Sequence, residues 1–463
     1  MTASSPLRAA LPGLARESRG LVLLGLPLVG SAVAGFLAHM TDIILLGWYD
    51  LVALAAGTIA TSFYFNIFIL GAGFGNGVLP LVAAAVAAGD ETRSRRVTRM
   101  GLWLSAGFAL LTLPLFWNTG LIFRVMGQQP EVVALAQDFM RIAMWGLFPW
   151  LGVNVLRCYL SAQLLTAVQL WVTSGAVVVN AVLNYGLIFG AWGLPELGIR
   201  GAALGSVIVQ TLTFAALAVY TTWRLPEARL WQRIWRVDGS AMRDVFRLGW
   251  PIGVTALSET GLFTVSALMM GWIGTLELAA HGVASQLAAL TFMFHIGMTQ
   301  AATVHAGGAF GRRDQAELVR VGLASILVAL GFAALVVLTF VSFNHELVGL
   351  FLRAEDARRD FVVIIGAELL LFAALFQFAD ASQAVALSLL RGVQDTRIPM
   401  WLAAFAYWCV GVPAGYLLAF HAGLGPAGIW LGLTAGLGTA ALLLMLRFWR
   451  HGVRIAPPGA AHV

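Results

Sequence analysis

The chain has 463 residues, 60% of them hydrophobic and 11% charged, with a formal net charge of +6. Soluble domains carry about a quarter charged residues, so the composition excludes a soluble globular protein. Long unbroken apolar runs likewise exclude a membrane β-barrel, whose strands alternate over short segments.

The opening segment, MTASSPLRAALPGLARESRG, carries Arg8, Arg16 and Arg19 but no small-residue cleavage site after a short apolar run. It reads as a cytoplasmic tail over 1–19. Apolar runs long enough to cross a bilayer then follow one another. They predict spans at 20–46, 50–74, 97–123, 132–154, 164–192, 199–223, 245–273, 276–303, 318–342, 362–390, 398–420 and 426–448. The chain is therefore expected to be an all-α polytopic membrane protein with twelve transmembrane helices. The expected domains are an N-lobe over 20–223, a cytoplasmic linker at 224–244, a C-lobe over 245–450 and a cytoplasmic tail over 451–463.

All the basic residues are arginine, and their placement sets an orientation. With the N-terminus inside, 22 of the 28 fall in the tails and inner loops. Only Arg124, Arg141, Arg200, Arg353, Arg358 and Arg359 fall outside. Arginine accumulates on the cytoplasmic side, so both termini are expected there. The arginine-dense stretches DETRSRRVTRM, WRLPEARLWQRIWRVDGSAMRDVFR and GRRDQAELVR are read as orientation signals and solvated loops. No nucleic-acid partner is expected.

The two halves repeat. A shift of 224 residues sets Pro27 on Pro251, Gly47-Trp48 on Gly271-Trp272, and Asp90 on Asp314 without a gap. Equivalent points lie six spans apart, so the repeat is parallel, with its axis along the membrane normal. That architecture is found in transporters that work by alternating access.

Deep carboxylates are few. Asp42 lies in the first span, Glu259 in the seventh and Asp380 in the tenth, with Glu368 shallower. A charge at mid-bilayer costs about 2.5–3.5 kcal/mol on insertion scales, so such a group tends to face a cavity or meet a partner. Phe376, Gln377, Gln383 and Ala384 share the helix face of Asp380. No basic residue is expected deep in any span. The natural counter-charges are therefore a proton, a metal cation or a cationic substrate. Desolvation favours the neutral acid, and an arriving cation favours the ionised one; an ion-coupled antiporter needs that reciprocity. In the fifth span Asn180 and Asn184 stand at i and i+4, and with Asp42 offer oxygens for a hard cation or a proton relay. His39, three residues before Asp42, is read as a packing residue.

Other signals are absorbed without chemistry. GAGFGNG at 71–77 ends an apolar helix with no preceding strand, so it is read as close packing rather than a dinucleotide fingerprint. Cys158 and Cys409 are read as small buried side chains. No nucleophile motif, phosphate loop, metal spacing or cofactor signature occurs, so the chain is not expected to be an enzyme or to carry a cofactor.

The proline and aspartate of PLVGSAVAGFLAHMTDIILLG, the block NYGLIFGAWGLPELGIRGAALGS, the glutamate of SETG, and FADASQAVALSLLRGVQDTRIP together resemble the MATE (multidrug and toxic compound extrusion) family, in its NorM-type branch. The resemblance runs from about residue 20 to 450. It implies two pseudo-symmetric six-helix bundles around a central cavity, and efflux of small cationic or amphiphilic drugs in exchange for Na⁺ or H⁺. By position it places an N-lobe cation or proton site at Asp42, Asn180 and Asn184. A C-lobe coupling and substrate site falls at Glu259, Asp380, Phe292 and Gln383. Na⁺ is expected at Glu259 and Asp380 or at Asp42, Asn180 and Asn184. A bacterial inner-membrane location and a monomer follow from the same resemblance. Two departures stand out: Phe376 where tyrosine can occur, and His305 in place of a common arginine. A lipid-linked precursor flippase would carry a cationic cavity, and a membrane enzyme would need a catalytic motif; neither is present.

Overall fold

The computed structural model describes residues 13–352 and 358–454. Arg8, Arg353 and the outer parts of both expected tails lie outside the described residues. Among the described residues, twelve helices are long and apolar enough to cross a membrane: α1 Leu14–Tyr49, α2 Leu51–Ala87, α3 Glu91–Trp117, α4 Pro130–Ala162, α5 Ala167–Phe189, α6 Ile199–Arg224, α7 Gly239–Ile273, α8 Thr275–Arg312, α9 Gln315–Ser342, α10 Arg359–Gly392, α11 Arg397–His421 and α12 Gly425–Gly452. Each coincides with one expected span.

The differences are at the ends. The third span was expected to reach 123, but α3 stops at Trp117 and a separate short helix covers Thr119–Val125. The Asn118 amide donates back to the Pro114 carbonyl at 2.8 Å, the local competition by which asparagine breaks helices. α4 passes through a 3-10 turn at Met144–Gly146 and runs on to Ala162, which puts Arg157 inside a helix rather than in a loop. α10 likewise extends to Gly392 and takes in Arg391.

The internal repeat is visible in the coordinates. Asp90 accepts the Arg93 N–H, and Asp314 accepts the Glu317 N–H, each at 2.8 Å. Both are helix N-caps 224 residues apart. The short helix Thr119–Val125 has its counterpart in Asn344–Gly349. Farther on the shift is 230, where Leu164 (φ 61°) and Gln394 (φ 62°) occupy the same left-handed position before α5 and α11.

By their contacts the residues divide into two compact units. One joins the residues up to Val29 with those from Val254 onward, and the other is Gly30–Gly253. The boundaries fall inside α1 and α7, and 29 plus 224 is 253, so they are equivalent positions of the repeat. Glycine explains the division. A Cβ on Gly73 of α2 would strike the Gly249 carbonyl oxygen and the Gly253 nitrogen of α7, the latter at 2.6 Å. At the equivalent place in the other unit, a Cβ on Gly297 of α8 would strike the Val29 backbone of α1, with Cα at 2.8 Å. Without water in the bilayer core, helices associate by such close packing of small residues. The glycines of GAGFGNG are thus a contact seam.

Gly73→Ala and Gly297→Ala should each destabilise the purified protein by about 1–3 kcal/mol through overpacking. Gly107→Ala, whose Cβ would meet nothing within 4 Å, should not. Thermal unfolding in detergent checks this; equal midpoints for all three would show that the seam is loose.

Candidate ion-coupling site

Asp42 of α1 and the asparagines of α5 come together as the sequence implies. The Asn184 amide nitrogen donates to Asp42 Oδ1 at 2.6 Å, and the Asn180 side chain acts on the same carboxyl group from one turn away. The i, i+4 spacing puts both amides on one face of α5. Both are buried, at 5% and 0% exposure, while Asp42 is half-buried. Among the described residues no protein group donates to the Oδ1 atoms of Asn180 and Asn184. A side chain at position 205 of α6 would displace the second of them, since a Cβ there runs into Asn184 Oδ1 and comes 3.1 Å from Cγ. The arrangement is one carboxylate with two buried amide oxygens beside it. An unsatisfied buried acceptor costs about 1–3 kcal/mol, so these oxygens favour a bound cation or a proton-bearing group.

In the other unit, Asp380 of α10 is 3% exposed and lies close enough to Glu259 of α7 for the two carboxyl groups to interact electrostatically. Gln383 donates through Nε2 to the Tyr407 hydroxyl at 2.7 Å and acts electrostatically on Glu259. One turn before Asp380, Gln377 donates to Thr291 Oγ1 at 2.8 Å. The Oε1 atoms of Gln377 and Gln383 have no donor. Phe292 is half-buried next to Thr291 and makes no ring contact among the described residues. The structure thus joins Glu259, Asp380 and Gln383 but gives Phe292 no polar or ring contact with them.

Two arginines near helix ends join the polar groups of the spans, one in each unit. Arg391 acts electrostatically on Glu259 and Tyr407. Helical side chains lean toward the N-terminus, which carries an arginine at the end of α10 back into the span. Arg157 of α4 is held by Ser31 Oγ at 2.8 Å and Gln169 Oε1 at 3.2 Å, with no carboxylate in the set. Tyr407 also escaped the sequence reading. It lies on a π-helical turn, Ala406–Gly411, in α11, and such turns shift helix register with no residue pattern to announce them.

The two departures find structural explanations. Phe376 is 2% exposed and packs edge-on against Phe263 and Trp430, at 5.9 and 5.7 Å between centroids. Its ring fills a core position. His305 backs onto α1, where Gly20 leaves room for the imidazole, and its Nδ1 is 3.9 Å from Glu17. His39 is exposed. Cys158 is buried as expected, but Cys409 is exposed on α11, a correction that follows from its place on the π-helical turn. Among the described residues no three His, Cys, Asp or Glu side chains form a metal cluster.

The chain is similar to known proteins along most of its length. The family model described as MatE matches residues 27–186 and 251–417. A protein of Rhizobium meliloti named "Probable multidrug resistance protein NorM" is 43% identical over 96% of this chain and 95% of its own length. One of the same name from Agrobacterium fabrum is 40% identical, covering 93% of each chain. A solved structure described as MATE in the bent conformation superposes with a TM-score of 0.84 at 20% identity, over 97% of this chain and 98% of the other.

Tyr407→Phe removes the acceptor of a buried hydrogen bond and leaves the Gln383 amide donor short of a partner. It should lower stability by about 1–3 kcal/mol, read as a lower thermal midpoint; an unchanged midpoint would mean that Gln383 is held by other contacts.

Proposed function

The chain belongs to the MatE family, and on that premise we propose that it is a secondary active multidrug efflux antiporter. It exports organic cations and amphiphilic drugs in exchange for Na⁺ or H⁺ by alternating access. The observation that carries this reading is that half-buried or buried carboxylates lie beside amide oxygens that no protein group among the described residues donates to, in both units. Buried ionisable groups in a membrane span are costly and mark ion or proton pathways.

Asp42, Asn180 and Asn184 form the N-terminal coupling site. Glu259 and Asp380, with Gln383, form the C-terminal site, and Phe292 adds an aromatic face suited to an organic cation. Neutral or cation-occupied acids suit the desolvated site, whereas ionised ones call for a counter-ion. Entry of Na⁺ or H⁺ therefore displaces a cationic drug, and the drug displaces the ion. Energy comes from the ion gradient. The protein works as a monomer in the bacterial inner membrane with both termini cytoplasmic, the orientation that the excess of arginine in the tails and inner loops supports.

Efflux of ethidium or norfloxacin, measured in everted vesicles under imposed Na⁺ or H⁺ gradients, tests the proposal. Asp42→Asn, Glu259→Gln and Asp380→Asn should each reduce coupled efflux at least tenfold, about 1.4 kcal/mol in the rate-limiting step. Efflux indifferent to both gradients would refute antiport, and full activity in all three variants would refute the site.

A further inference from the structure

The segment 225–238 between α6 and α7 carries more than an orientation signal. Its backbone is tied down by side chains of α3. Arg99 donates to the Arg229 carbonyl at 2.6 Å and the Leu230 carbonyl at 2.5 Å. Trp103 Nε1 donates to the Ile234 carbonyl at 2.7 Å. Leu230 is 3% exposed, anchoring the middle of the strap. Arg229 and Arg233 are held at φ 43° and 57°, a left-handed conformation uncommon for residues with a side chain.

The charges that remain are one-sided. Asp238 at the end of the strap bonds Arg96, and Asp244 at the start of α7 lies 3.7 Å from Arg93. The guanidinium of Arg96 holds the Asp238 carboxyl well below the usual carboxylate range, so this acid stays ionised and engaged by α3. Glu227 is the one further acid between 224 and 237. Against it stand Arg224, Arg229, Arg233 and Arg236, all exposed and none in an ion pair among the described residues. Interspersed with them are Trp223 and Trp235, 75% and 73% exposed.

Both flanking helices are membrane spans, which keeps this strap at the membrane boundary. Tryptophan prefers the headgroup region, and arginines near an anionic leaflet are drawn to its lipids. We propose that residues 223–237 form a binding surface for anionic phospholipid headgroups, with Arg224, Arg229, Arg233 and Arg236 on the phosphates and Trp223 and Trp235 in the interface. α3 supplies the rigid support by holding the backbone carbonyls, which leaves the arginine side chains free for lipid.

The test uses the full chain in detergent micelles, titrated with phosphatidylglycerol, phosphatidylcholine or inorganic phosphate, with bound lipid counted by native mass spectrometry. Phosphatidylglycerol should bind in preference to phosphatidylcholine, with affinity falling about fivefold per arginine in the series Arg229→Gln, Arg229→Gln/Arg233→Gln and the four-arginine variant. Arg→Lys at the same four positions should restore most of the binding, and salt should weaken it. These exposed side chains are outside the packed core, and the thermal midpoint without lipid checks that each variant folds. Equal loss on Arg450→Gln/Arg454→Gln, equal binding of phosphatidylcholine, or binding saturated by inorganic phosphate alone would overturn the proposal. Preferential capture of an RNA oligonucleotide over lipid would overturn it as well.

Discussion

Backbone contact at two glycines governs where the chemistry lies. Gly73 and Gly297 let α2 and α8 press onto the backbones of α7 and α1, an approach that any Cβ would block. Up to that contact, each crossing helix packs in one unit; beyond it, the same helix packs in the other. Asp42 and Glu259 both lie beyond it. α1 thereby delivers its carboxylate to α5, and α7 delivers its own to α10 and α11. Pro27 and Pro251 stand just before the change of unit. A proline inside a helix gives up one backbone hydrogen bond, so each helix is weakest near where it changes neighbours.

The scaffold repeats but its polar groups do not. At the counterpart of Asp42, Ser266 bonds the Leu262 carbonyl of its own helix at 2.9 Å. At the counterpart of Glu259, Gly35 has nothing within 4 Å of an added Cβ. Under the 230-residue shift Asp380 corresponds to Trp150, which stacks on Phe68 at 3.6 Å between centroids. Caps, seams and left-handed turns are backbone features, preserved because the helices must cross in the same way. Carboxylates serve no such purpose, and each unit carries its own set.

This difference also explains what the sequence could reveal. Span number, the repeat and the shared face of Asn180 and Asn184 were legible because apolar length and i, i+4 spacing map directly onto helices, while the resemblance implied that Asp42 joins them. The association of Glu259 with Asp380 came instead from the family resemblance, because periodicity alone does not say which helices meet. Arg391 and Arg157 were not legible. Each sits within about six residues of a helix end, where orientation counting assigns arginine to a loop, and only the helix's true length shows it inside. Tyr407 was hidden by the π-helical turn beneath it, which changes the register of α11 after Ala406. Counting along a regular helix places every later residue on the wrong face.

Arg391 bears most directly on the proposed coupling. In the Gly30–Gly253 unit, the carboxylate of Asp42 is joined by amide groups alone, and its two donor-less oxygens suit a small hard cation. In the other unit a guanidinium already acts on Glu259. A fixed positive charge lowers the gain from binding Na⁺ beside it, whereas a proton moving between Glu259 and Asp380 is less affected, because the pair can hold one shared negative charge opposite Arg391. Two carboxylates in close electrostatic contact resist being ionised together, and a single built-in cation balances one of them. Within the proposed antiport, the C-terminal pair is therefore the one suited to a proton, and the Asp42 cluster the one suited to Na⁺.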